Sequence, residues 1–156
     1  MSEQPFTGIA FNLSSLGYAV SRGFQATLAP FELHPREFAV LRAVGFQEGQ
    51  TQQALADGLR IPRSRMVSIV DELESRGLLE RHPNPDDRRV RELFLTDKGR
   101  TLLERAFAEA VAYEAQVSGS LTAAERKQLL DLLGRVSSNL GIDPGAHAAL
   151  REHDES

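Results

Sequence analysis

From Ile9 to Leu28 apolar residues return every three or four positions, at Ile9, Leu13, Leu16, Val20, Phe24 and Leu28. That repeat marks one face of a helix. The residues between them include Ala10, Phe11, Tyr18 and Ala19, so this helix is apolar on more than one side and needs a second surface to bury. Ala29-Pro30 ends it, because a residue preceding proline is pushed out of the helical region. A shorter helix is predicted after Pro35, with Phe38, Leu41 and Val44 inward and Gly45 at its end. Thr51 is placed to cap a third helix that buries Leu55 and Leu59, and Gly58 permits a turn. After Pro62 a fourth begins near Arg63 or Ser64, turns Met66, Ile69, Val70 and Leu73 inward, and closes at Gly77.

The period then changes. Leu78-Leu79-Glu80-Arg81 reads as a strand, His82 to Arg89 as a charged turn rich in Pro, Asn and Asp, and Val90 to Leu95 as a returning strand. Thr96 caps a long helix with Leu102, Leu103, Ala106, Ala110 and Tyr113 or Val117 on its stripe, broken at Gly119-Ser120. Thr122 and Glu125 form a capping box for a last helix through Leu129, Leu130, Leu133, Val136 and Leu140. A stop at Gly141 to Gly145 precedes a polar tail that is expected to be loose. The fold class is therefore mainly α (α+β): a helix-turn-helix with a β-hairpin, flanked by N- and C-terminal helices.

Length and composition narrow the picture. A chain of 156 residues is expected to form a single domain, and at that size roughly 70% of the unfolded surface is hidden. The absence of cysteine excludes a disulfide framework, a thiolate nucleophile and a cysteine redox sensor. No apolar run reaches the roughly 20 residues that a membrane helix needs. Met1-Ser2-Glu3-Gln4-Pro5 has neither the basic start nor the apolar stretch of a signal peptide. A cytoplasmic protein without membrane contact is expected.

A formal charge of −4 argues against a chain coated in basic residues, but the charge is unevenly spread. Between Arg60 and Arg100 ten Lys/Arg meet eight Asp/Glu, whereas the remainder holds eight against fourteen. Arg63 and Arg65 fall at the start of the fourth helix, and Arg88 and Arg89 at the hairpin tip. A helix-turn-helix presents the N-terminal residues of its second helix to base edges in the major groove. Arg65 suits guanine O6 and N7, Ser64 and Ser68 can donate or accept, Val67 can touch a thymine methyl, and Arg63 lies beside them. An arginine at a wing tip suits the narrow minor groove of A·T-rich DNA. Arg76 and Arg81, with Thr51 and Gln52 opening the third helix, are the expected phosphate contacts. The same architecture also serves as a protein-interaction module without operator binding, and that alternative stays open.

In combination these residues resemble the MarR family (multiple antibiotic resistance regulators) over about Ile9 to Leu140. The resemblance is carried by Ile69-Val70-Asp71-Glu72-Leu73-Glu74-Ser75-Arg76-Gly77-Leu78-Leu79-Glu80-Arg81, by Asp86-Asp87-Arg88-Arg89, and by Leu95-Thr96-Asp97-Lys98-Gly99. It implies a homodimer built on helices over 8–30 and 100–141, a winged helix-turn-helix lobe over 35–99, and a flexible tail over 142–156. It further implies binding to a near-palindromic operator, with Arg89 in the minor groove, Asp87 holding it and the wing in place, and Ser64, Arg65 and Ser68 reading the major groove. Members commonly repress a gene and release DNA when a small, often aromatic effector binds between the dimer helices and the DNA-binding lobe. The chain departs from the family's cysteine peroxide sensors and from its tryptophan-dependent urate sensors, having neither residue. Arg60 stands at a turn position where the family often has glycine.

His34, His82, His147 and His153 are scattered. No metal site or cofactor is expected from them, and His34, before Pro35, is expected to cap or pack. No Walker loop, G-x-G-x-x-G, H-E-x-x-H or G-x-S-x-G occurs, so an enzyme is not expected. Effector-lining residues leave no motif and are not identified.

Overall fold

The computed structural model describes residues 8–142. The start Met1 to Pro5, His147, His153 and all but the first residue of the expected tail lie outside the described residues. The elements follow in the order α1 (Ile9–Leu28), a 3-10 turn (Ala29–Phe31), α2 (Pro35–Phe46), α3 (Gln52–Leu59), α4 (Arg63–Ser75), β1 (Leu79–Pro83), β2 (Arg91–Leu95), α5 (Asp97–Ser118) and α6 (Ala123–Asn139).

Local chemistry accounts for most of these boundaries. His34 opens α2 with a reciprocal cap: its Nδ1 accepts from the Arg36 N–H at 3.4 Å, and the Glu37 carboxylate accepts from the His34 N–H at 2.7 Å. Thr51 and Thr96 accept from the N–H groups of Ala54 and Gly99, opening α3 and α5. Thr122 and Glu125 complete the capping box of α6. The N–H and hydroxyl of Thr122 hold the Glu125 carboxyl below its ordinary pKa. This support for α6 is present at neutral pH and is lost as pH falls through the carboxylate range.

Two expected boundaries move. Gly45 does not end α2, which continues to Phe46. A Cβ at Gly45 would stand 2.9 Å from Leu103 Cδ2, so this glycine allows α5 and the wing to pack on α2. The hairpin starts later than expected, at Leu79 and Arg91, because Leu78 is the turn residue whose N–H returns to Leu73 O after Gly77, at a left-handed φ of 68°. β1 and β2 pair antiparallel from Leu79↔Leu95 to Pro83↔Arg91. The segment before α3 joins them, with Gly49 N–H on Leu93 O and Leu93 N–H on Gln50 O, both at 3.0 Å, and with Thr51 bridged to Glu92.

One apolar core underlies this lobe. Val40, Leu41 and Val44 of α2, Leu55 of α3, Met66, Val70 and Leu73 of α4, Leu79 of β1 and Leu93 of β2 are buried together. Leu28 and Ala106 extend the core to α1 and α5. By contrast, α6 has no buried residue. Leu130 and Leu140 are 69% and 66% exposed, and Ile9, Leu16 and Tyr18 on α1 are similarly open. The second surface expected for α1 is thus not supplied among the described residues.

At the start of α5 the backbone of Gly99 runs against that of Leu78, and a Cβ at Gly99 would overlap the Leu78 carbonyl oxygen. Gly99→Ala is expected to lower stability by at least about 2 kcal/mol, read by urea denaturation. Gly58→Ala, on α3 with nothing within 4 Å of its Cβ position, is expected to leave stability unchanged or raise it by up to about 1 kcal/mol.

Candidate nucleic-acid interface

The helix-turn-helix is held by α3 and α4 meeting at Ile61, which is 3% exposed and donates its N–H to Ala56 O. The turn passes through Arg60 at a φ of 54°, the left-handed conformation that explains why glycine suits this position. Pro62 then precedes the first turn of α4. Since Met66, Ile69, Val70 and Leu73 are buried, the opposite face carries Ser64, Val67, Ser68 and Asp71, all exposed and aligned by helical spacing. Arg63 and the half-buried Arg65 stand on the two flanks of that row. The Ser68 hydroxyl donates to Ser64 O at 3.3 Å. The result is a short apolar-polar strip edged by two cations.

The hairpin tip is organised by Asn84, a residue that the sequence reading passed over. Its Oδ1 accepts from the N–H groups of Asp86 and Asp87 at 2.8 and 3.0 Å, and its Nδ2 donates to Glu92. Asn in a Pro-rich turn is a recognisable signal for this local bonding. Asp87 in turn accepts from the Arg89 N–H at 3.0 Å, so it grips the backbone of Arg89. Arg88 and Arg89 are exposed, and their guanidinium groups form no ion pair among the described residues.

Arg76 and Arg81, expected to face phosphates, are half-buried, and each has a carboxylate beside it. Arg81 pairs with Asp71 and Glu74 of α4 and donates to Gln52 Oε1 of α3 at 3.2 Å. Arg76 lies 3.6 Å from the Glu37 carboxylate and reaches Phe31 O. Their nearby carboxylates neutralise them, and both act as ties between elements. Thr51 uses its hydroxyl oxygen on the α3 cap and Gln52 its carbonyl on Arg81. Glu48 was also missed: it accepts from the Leu95 N–H at 3.1 Å and pairs with Arg100 at 2.8 Å, tying the wing to α5.

A cleft of about 1150 Å³ opens between α1, α2 and α5. Phe24, Phe38, Phe107 and Tyr113 line it, together with Ala39 and Arg42. Phe24 meets Phe38 edge-on at 5.8 Å, and Tyr113 donates to Val20 O at 3.0 Å. Among the described residues no group of His, Cys, Asp and Glu is arranged to hold a metal ion, and no helix is long and apolar enough to cross a membrane.

Comparison with known proteins agrees with this geometry. A family model described as MarR family matches residues 31–90. The HTH-type transcriptional regulator PecS of Dickeya dadantii is 32% identical over 131 residues, covering 82% of this chain and 79% of the relative. The transcriptional repressor CouR bound to a 23-mer DNA duplex superposes with a TM-score of 0.74 at 34% identity, covering 83% of this chain and 92% of that one. CouR from Rhodococcus jostii RHA1 bound to p-coumaroyl-CoA gives a TM-score of 0.72 at 31% identity, with 87% and 96% covered. The chain belongs to the MarR family of winged-helix transcriptional regulators.

Proposed function

We propose that this protein is a homodimeric, cytoplasmic, non-enzymatic repressor that binds a near-palindromic operator and leaves it when a small molecule enters the α1–α2–α5 cleft. The observation that carries the reading is the placement of unpaired cations: Arg63 beside the exposed strip of α4, and Arg88 and Arg89 at the wing tip. CouR bound to duplex DNA, 34% identical to this chain, supports it, as does CouR from Rhodococcus jostii RHA1 bound to p-coumaroyl-CoA, 31% identical. The protein-interaction alternative has no observation in its favour.

In this reading Ser64, Arg65, Val67 and Ser68 meet base edges with Arg63 beside them, while Asp87 sets the wing turn from which Arg89 enters the minor groove and Arg88 flanks it. Phosphate contacts fall to Thr51 and Gln52, at the positive end of the α3 dipole. Arg76 and Arg81, whose ion pairs also fix α4 against α2, α3 and β1, add to the phosphate contacts. The open apolar faces of α1 and α6 supply the dimer seam, so that 8–30 and 100–141 form the dimerisation region and 35–99 the reading lobe. Half-sites then lie about 34 Å apart. Effector binding favours a dimer geometry that no longer matches this spacing, and DNA affinity falls by that differential.

The test is binding of the purified protein to the DNA upstream of its own gene across a salt series. Strong preference over scrambled DNA, with affinity falling steeply as salt rises, is expected; equal affinity for both DNAs would refute the reading. Arg65→Ala is expected to cost about 1–3 kcal/mol and to relax preference at one base pair, as read by competition with single-position operator variants. Arg89→Ala is expected to weaken binding mainly to operators with A·T-rich flanks. An equal loss on G·C-rich flanks would rule out its minor-groove role.

A further inference from the structure

Arg88 and Arg89 stand exposed at the wing tip, and what aims Arg89 is a relay of hydrogen bonds that begins on β2. The Asp87 carboxylate accepts from the Arg89 N–H at 3.0 Å, and the Asp87 carbonyl accepts from the Val90 N–H at 2.9 Å. Asp87 is itself held from behind, because its N–H and that of Asp86 both donate to Asn84 Oδ1. Asn84 is fixed on its other side: its backbone N–H donates to Val90 O at 2.9 Å, and its Nδ2 donates to the Glu92 carboxylate. Glu92 pairs with His82 of β1 and is bridged to Thr51, the cap of α3.

Residues 85–89 are all exposed, whereas Asn84 and Glu92 are half-buried. A side-chain amide has an acceptor end and a donor end. With two backbone N–H groups at one end and a carboxylate at the other, only one orientation of the Asn84 amide satisfies all three partners. An aspartate would serve the two N–H groups but set a second negative charge against Glu92; an alanine would serve none of the three. Glu92 joins the tip through its side chain and the segment before α3 through its backbone. It thereby holds the wing turn at a fixed distance from Thr51 and Gln52, which open α3.

We infer that Asn84 and Glu92 are the positioning pair of the wing, and that the bond between their side chains orients the turn from which Arg89 enters the minor groove. The inference rests on the reading of Arg89 as a minor-groove residue and adds the source of its aim. Neither member of the pair has to touch DNA; both act through Asp87.

Competition binding tests it, on DNA from upstream of the protein's own gene with flanks made A·T-rich or G·C-rich. Asn84→Asp is expected to weaken binding to the A·T-rich form by about tenfold and to erase the flank preference. Preference at the base pairs read by α4, and the melting temperature, are expected to hold. Glu92→Gln keeps a carbonyl that accepts from Asn84, and is expected to stay within about threefold of the parent. Combining the two is expected to bring affinity back to within about threefold of the parent, because the new amide donates to the new carboxylate.

The double variant has the parent's net charge, so the cycle separates aim from simple repulsion of phosphate. If added charge near DNA were the whole effect, Glu92→Gln alone would tighten binding as much as Asn84→Asp weakens it, and the two changes would add. That outcome overturns the inference. So does a flank preference that survives Asn84→Asp, a double variant no better than Asn84→Asp, an equal loss of flank and half-site preference, or a parent that prefers its operator but ignores the flanks. Amide exchange at Asp87 and Arg89, followed by NMR without DNA, runs the same cycle independently. It is expected to be faster in Asn84→Asp and parental in the double variant, and no change in Asn84→Asp overturns the pair whatever the DNA result. The exchange cycle as expected, in a parent with no operator preference, would instead count against the regulatory reading.

Discussion

The contact on which the rest of the molecule depends is the backbone approach of Gly99 to Leu78. Around it the Thr96 N–H reaches Leu78 O at 3.2 Å, the Thr96 hydroxyl reaches Gly77 O at 2.6 Å, and Lys98 Nζ reaches Arg76 O at 2.7 Å. The end of α4, the root of both wing strands and the first turn of α5 are therefore fixed at one junction. That junction explains the Leu95-Thr96-Asp97-Lys98-Gly99 run: threonine caps and ties, and glycine is needed because the two backbones leave no room for a Cβ. Through it, α5, which walls the cleft, is coupled mechanically to α4, which carries the exposed reading face.

Electrostatics divides the arginines into two groups by what lies beside them. Asp71 and Glu74 hold Arg81, and Glu37 and Glu48 serve Arg76 and Arg100. These pairs are partly exposed, so each contributes on the order of 1 kcal/mol or less; their value lies in orientation. Among the described residues Arg63, Arg88 and Arg89 have no such neighbours and are exposed. A chain of net charge −4 thereby carries uncompensated positive charge at the start of α4 and the wing tip.

The apolar pattern has a similar division. Stripes on α2, α3, α4 and β2 close on one another into a core. Those of α1 and α6 remain open among the described residues.

The six α-helices and the hairpin were legible in the sequence, because each carries its own period and punctuation: Thr51, Thr96 and Thr122 cap where expected, and the hairpin announces itself by its turn. The strip on α4 was legible for the same reason, since helical spacing fixes which residues oppose Met66, Ile69, Val70 and Leu73. What needed the tertiary structure was anything decided between distant segments. Gly45 looked like a stop until Leu103, 58 positions later in the sequence, was seen packed on it. That Asp71, Glu74 and Gln52 gather around Arg81 is likewise set only by the fold. The cleft has no linear signature, because its aromatic walls are ordinary core-type residues that face a cavity only once α1, α2 and α5 are assembled. Local periodicity and capping are properties of adjacent residues and can be read from the chain; ion pairing, close packing and enclosed space depend on distances that only folding sets.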